Sequence, residues 1–332
     1  MSNEKLFTYS SSPHVKNNRT TKGIMIRVCI ALLPAVIMGI IHFGLKAALL
    51  IALAVISAVA SEFVYLLITG KKFKKIAKQF DFTSCVTGLL VGMSIGTNYP
   101  FYAPILGSIF AVVVVKMLFG GTGKNLVNPA VTGRIFIFMS FQAVVGAWAL
   151  PSIGAINGQT VTTGATVLGE VLLGNLSTYS NLDLLLGTGV AGCIGETCKV
   201  ALIIGGIYLA IEGIINIGYP IIYLTVTGLF TVALNNFEFA YFLPTILSGG
   251  LMLGAIFMST DYTTTPNTTL GNVIYFVILG LITAGLRIAT KMEVVSFAIL
   301  LMNLFVPLID KFVINKPFGA QKQKKSKENK NV

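Results

Sequence analysis

Residues 160–168, TVTTGATVL, carry four threonines and no acid, base or thiol. A threonine hydroxyl is a poor catalyst alone but a good anchor for a phosphoester. Gly164 and Ala165 leave the backbone beside Thr166 unhindered, so that this hydroxyl can be presented to a modifying enzyme. Taken by themselves, the same residues also make an ordinary polar loop in which threonine serves solubility or a turn.

A second polar stretch, FGGTGKNLVNPAVTGR at 119–134, sets two asparagine amides, Asn125 and Asn128, ahead of Pro129. Proline suits the first turn of a helix, and a helix N-terminus offers free N–H groups to an electron-rich partner. Close helix packing explains glycines such as Gly88 and Gly92, but it does not explain paired asparagines. The stretch lacks the G-x-x-x-x-G-K-[ST] spacing of a phosphate loop, which argues against nucleotide hydrolysis.

Glu62, Lys116, Arg134, Glu196 and Asp261 fall within or beside apolar sequence, where a charge is costly unless paired or functional. Glu62 and Lys116 read as interfacial, with Lys116 snorkelling to a headgroup and Glu62 pairing with a neighbouring helix. Glu196 in GETC and Asp261 in MSTDYTTTP sit in polar breaks, which makes them candidates for a functional site. The four cysteines form no C-x-x-C pair, and His14 and His42 stand at no metal-ligand spacing, so no metal site is expected. No Ser-His-Asp or paired-carboxylate pattern marks a catalytic residue.

The elements that position these residues must use lipid as solvent. Of 332 residues, 55% are hydrophobic and 11% charged, and the mean hydropathy is +0.83. That leaves too little polar surface to close a soluble domain. Apolar runs near 28–41 with 45–68, 84–97, 101–119, 130–149, 200–217, 220–234, 240–259, 272–289 and 294–310 predict an all-α polytopic membrane protein of about ten transmembrane helices. FTSCVTGLLVGM at 82–93 echoes LPTILSGGLMLG at 243–254, which fits two inverted five-helix repeats with interrupted helices.

The expected organisation is a basic arm over 1–27, a membrane domain over 28–313 and a basic tail over 314–332. Within the membrane domain, 28–149 form a first half, 150–183 an external loop and 184–313 a second half. The first 27 residues show no cleavable signal. Basic runs in the arm, at 71–79 and at 321–330 place both termini in the cytoplasm and TVTTGATVL on the outer face. Arg287 and Lys291 then fall outside, against the trend. The net charge of +12 is concentrated in these flanks, so it answers topology and anionic lipid rather than nucleic acid.

Five stretches stand in the order of a known family: DFTSCVTGLLVGM (81–93), KMLFGGTGKNLVNPAVTGRIFIFMSF (116–141), TTGATVL (162–168), GCIGETC (192–198) and GAIFMSTDYTTTPNT (254–268). The chain resembles the family of the D subunit of the Rnf electron-transport complex, an ion-translocating ferredoxin:NAD+ oxidoreductase. It is similar, more distantly, to the B subunit of the sodium-translocating NADH:quinone oxidoreductase. The resemblance implies that Thr166 carries FMN through a phosphoester, with Gly164 and Ala165 as the recognition element for a flavin transferase. One position departs: the motif often has an acid six residues before the modified threonine, and here that residue is Thr160.

By the same resemblance, Asn125, Asn128 and Pro129 serve a second, non-covalent flavin, riboflavin. Glu196 and Asp261 match polar positions near the flavins or the ion path. The chain would then be a flavin-carrying subunit of a redox-driven Na+ or H+ translocase in the bacterial cytoplasmic membrane. Other subunits of the complex would meet ferredoxin and NAD. The competing class is a secondary transporter or channel without a redox cofactor, which explains the spans and buried acids but not Thr166 in its motif.

Overall fold

The structure, a computed structural model, describes residues 19–141, 148–151, 163–164, 167–173 and 180–314. Helices dominate because backbone N–H and C=O groups in hydrocarbon have only one another as partners. Helix α1 (Thr21–Ile68) runs for 48 residues. At 1.5 Å per residue that is about 72 Å, enough to cross a ~30 Å hydrocarbon layer twice. Gly44 divides it, with φ 72° and ψ −163°, a conformation that glycine alone adopts readily. The expected spans 28–41 and 45–68 are therefore one element broken at the expected gap. The helix starts inside the expected N-terminal arm, where the Thr20 hydroxyl accepts from Gly23 N at 3.1 Å and caps it.

Short α2 (Phe73–Gln79) leads to α3 (Thr83–Met93), α4 (Tyr102–Met117) and α5 (Pro129–Ser140). A two-residue antiparallel hairpin follows, β1 (Trp148–Ala149) with β2 (Thr163–Gly164). Next come α6 (Val167–Leu172), α7 (Asn181–Leu186), α8 (Lys199–Ile211) and α9 (Gly218–Leu234). Helices α10 (Phe239–Leu247) and α11 (Leu251–Met258) meet at a 69° bend, and α12 (Thr269–Thr290) and α13 (Val295–Phe312) close the described chain.

Among the described residues, α1, α12 and α13 are long and apolar enough to cross a membrane, and the bent α10–α11 pair makes a fourth candidate. The apolar helices α3, α4, α5, α8 and α9 are shorter. This is the all-helical membrane architecture expected, although several predicted spans end early. The run 84–97 stops at Met93 and 200–217 at Ile211. Gly96-Thr97-Asn98 follows the first, and Glu212 with Gly213, at φ 62°, follows the second. The irregular segment after α3 is nonetheless buried, with Ser94 and Thr97 each under 5% exposed, because surrounding helices shield it from lipid.

Helices α1 and α3 pack through Gly88 and Gly92: a Cβ added to Gly88 would sit 2.7 Å from Val55 Cα. Small residues here let two backbones touch, as the sequence implied. The echoing stretches differ at their matched positions. Thr87-Gly88 lies within α3, whereas Ser248-Gly249 is the α10–α11 break, with Gly249 at φ 59°. Helix α4 from Phe110 and α11 from Gly254 are wound as π-helix, a form that recurs at functional sites. Each leads directly into a polar loop, 118–128 after α4 and 259–268 after α11.

Candidate functional site

These two loops meet through asparagine. Asn128 Oδ1 accepts from Ala130 N at 2.9 Å and Val131 N at 3.4 Å, capping α5 with Pro129 in its first turn. Its Nδ2 donates to Met258 O at 3.0 Å. Asn125 Nδ2 donates to Thr263 Oγ1 at 3.0 Å and to Val127 O at 3.0 Å. The expectation of free N–H groups at the start of α5 is thus corrected, because the cap itself takes two of them. Asp261 orders the second loop, accepting from Thr263 Oγ1 at 2.9 Å and Thr264 Oγ1 at 3.4 Å. In this loop between helices, burial pushes the Asp261 carboxyl above its ordinary range, while those hydroxyls pull it back.

Asn125, Asn128, Pro129 and Asp261 line one pocket of about 800 Å³, mouth included. Its walls are largely apolar, from residues such as Val28, Leu90, Ile256 and Phe257, with Lys116 and Tyr262 among its polar members. Apolar walls with a few placed polar groups suit a small-molecule ligand. The Asn125 amide nitrogen is committed to the loops, which leaves its carbonyl oxygen as an acceptor there.

Lys116 does not snorkel to a headgroup. Its ammonium is 3.1 Å from Glu62 Oε1 and 3.1 Å from Ser84 Oγ, and it also donates to Thr83 Oγ1. Lys116 and Glu62 are both buried. Glu62 reaches Lys116 from α1, so the charge is satisfied inside the protein, and the pairing expected for Glu62 is the one that occurs.

Glu196 belongs to a different cluster from Asp261. Arg134 Nη2 lies 2.8 Å from Glu196 Oε1, and Arg287 Nη2 lies 2.8 Å from Glu293 Oε2. Arg287 also donates to Thr245 O at 2.9 Å and Ser248 O at 3.3 Å. Lys199 donates to Glu196 O and, at 3.0 Å, to Gly249 O. Gly249 and Gly250 seat the two carboxylates: a Cβ on either would overlap Glu293 or Glu196. Three cations and two carboxylates therefore surround the α10–α11 break, and two of the cations, Arg287 and Lys199, occupy carbonyls left open where α10 ends. Arg287 is fully buried, so it is not a solvent-facing loop charge and the positive-inside count does not apply to it. Sequence reasoning did not single out Lys199 or Glu293 and read Arg287 only as topology. An arginine inside LITAGLRIAT was the available signal.

The model of the NQR2, RnfD, RnfE family matches residues 8–319. The chain belongs to this family. It is 40% identical to the D subunit of the Na+-translocating ferredoxin:NAD+ oxidoreductase complex of Acetobacterium woodii, over 97% of this chain and 98% of the relative. It is 33% identical to the D subunit of the proton-translocating ferredoxin:NAD+ oxidoreductase complex of Clostridium ljungdahlii, over 96% and 98%. The D subunit of the ion-translocating oxidoreductase complex of Stutzerimonas stutzeri is 31% identical, over 89% and 91%.

In this RnfD-type chain, Ala165 and Thr166 lie outside the described residues, as does Thr160. Their flanks are described. The Thr163–Gly164 backbone pairs with Trp148–Ala149, Trp148 against Gly164. Val167 is buried with Leu247, the last residue of α10 before its break. The Trp148 ring lies over Gly96, in the loop that follows α3. Helix α3 thus begins at the pocket, which Thr83 lines, and ends toward the hairpin. Helix α5 likewise begins at the pocket with Pro129 and leads toward β1. At 1.5 Å per residue the two helices are about 16 and 18 Å long. Among the described residues no group of three or more His, Cys, Asp or Glu is placed to hold a metal ion.

Proposed function

We propose that the chain is the flavin-carrying D subunit of an ion-translocating ferredoxin:NAD+ oxidoreductase complex in a bacterial cytoplasmic membrane. It relays electrons between FMN esterified to Thr166 and a second, non-covalent flavin, riboflavin, in the pocket of Asn125, Asn128, Pro129 and Asp261. The observation that carries this reading is the pocket itself: two polar motifs far apart in sequence close around an apolar space at one end of α3 and α5. The hairpin that precedes Thr166 stands at the other end of those helices.

A bound isoalloxazine supplies one- and two-electron chemistry. The chain would hold it between apolar walls that exclude water, with Asn125 Oδ1 as an acceptor and the Lys116 Nζ–H as a donor nearby. The termini and the pocket face the cytoplasm, and Thr166 faces outward after modification by a flavin transferase. Ferredoxin and NAD+ bind partner subunits. The charge cluster at the α10–α11 break, next to the helix that Val167 packs against, couples electron passage to Na+ or H+ movement through shifts of that broken helix.

Peptide mass spectrometry tests the covalent site. Protein made with an active flavin transferase should carry one FMN less water on the peptide containing Thr166, and Thr166→Val should carry none. An unmodified Thr166, with the transferase active on another target, would move a transporter without a redox cofactor to first place.

A further inference from the structure

The flavin pocket shares a wall with a second cavity. This polar cleft, about 900 Å³ with its mouth, lies beside the end of α1 and is lined by Glu62, Thr69, Lys71, Gln79 and Thr122 among others. Lys116 and Thr83 line the pocket side, and Glu62 lines the cleft side. Lys116 Nζ and Glu62 Oε1, 3.1 Å apart, form the wall between them. Ser84, fully buried, donates to Glu62 Oε2 and accepts from Lys116 Nζ at 3.1 Å. On the far side Asp81 accepts from Thr83 Oγ1 at 2.6 Å and Thr122 Oγ1 at 2.7 Å, and Thr83 accepts from Lys116. A buried ion pair is rarely more stabilising than apolar residues of the same volume, so stability alone does not account for this one. Its members open onto two cavities through one continuous set of hydrogen bonds.

We propose that Glu62 and Lys116 conduct protons from the polar cleft to the redox group in the pocket, an inference that rests on the flavin reading above. Reduction of an isoalloxazine to its neutral two-electron form takes up two electrons, delivered by the complex, and two protons. For each proton, an Nζ–H bond of Lys116 breaks and an N–H bond forms on the ring. The Glu62 carboxylate takes a proton from hydronium in the cleft and passes it to the neutral lysine, which restores the pair. Ser84, Thr83 and Asp81 are positioning residues that hold the ammonium between the two cavities.

The test uses the whole purified complex, reduced in a single turnover with reduced methyl viologen, a one-electron donor that releases no proton, while flavin absorbance and a pH-indicator dye are followed together. Glu62→Gln keeps the hydrogen-bonding shape but not the titratable carboxyl. It should slow proton uptake and reduction of the extractable flavin at least about tenfold, with flavin content unchanged. Glu62→Asp should stay near the parent rate, and formate should restore Glu62→Gln. Parent rates in a flavin-replete Glu62→Gln complex overturn the conduit. So does a slow rate that neither formate nor the aspartate variant relieves, since that marks a structural pair. If Asn128→Leu leaves the extractable flavin unchanged, the pocket assignment itself falls and the conduit loses its acceptor.

Discussion

Asn128 performs two tasks with one amide, and they can be separated. Its oxygen caps α5 and its nitrogen holds Met258 O. Asn128→Ala should lower stability by about 1–2 kcal/mol, read from thermal unfolding in detergent. Asn128→Ser should regain most of the cap yet still lose the bridge, so both variants should lose extractable flavin while only alanine loses the cap's stability. The helix start was legible because asparagine before proline has a local meaning. The bridge was not, since nothing at 125–128 specifies a carbonyl 130 residues away. Asp261 gives a different test. Burial raises its folded pKa above that of the unfolded chain. The stability linked to its protonation is therefore full below the unfolded value, about 3.9, and is lost as pH rises through the folded one. Asp261→Asn should match the parent near pH 4 and unfold at a higher temperature than the parent near pH 7.5. Equal unfolding temperatures at both pH values would show that the carboxylate is not desolvated.

At the scale of elements, the bend between α10 and α11 is where the chain concentrates buried charge. Its glycines leave room for carboxylates, and its open carbonyls draw arginine and lysine. Arg287→Ala would strand Glu293 in a buried site and should cost about 3–5 kcal/mol, measured as a loss of unfolding free energy in mixed detergent. A loss under about 1 kcal/mol would mean that water reaches Glu293. The sequence showed that ionisable residues stood in apolar surroundings, and it showed the polar break at Glu196. It could not show that Arg134, Lys199 and Arg287 converge on one bend, because each comes from a different helix. The partner of Lys116 was hidden for the same reason: Glu62 is 54 residues away.

For the whole molecule, hydropathy revealed the membrane class and most of the apolar runs, while helix lengths depended on tertiary support. Helix α3 stops short because the irregular segment beyond it, which contains Gly96, is buried against neighbours rather than lipid. The short helices α3 and α5 set how far the pocket of Asn125 and Asn128 stands from the hairpin before Thr166. The amide bridge from Asn128 to Met258 also governs when this pocket can exist. A ribosome adding roughly 5–20 residues per second needs about 7–26 s to make the 130 residues that separate the two partners. Throughout that interval the first half of the molecule is already in the membrane with one side of its pocket open. Any ligand that needs both loops must therefore be loaded after translation has passed the second loop, and a nascent chain stalled before Met258 should hold none.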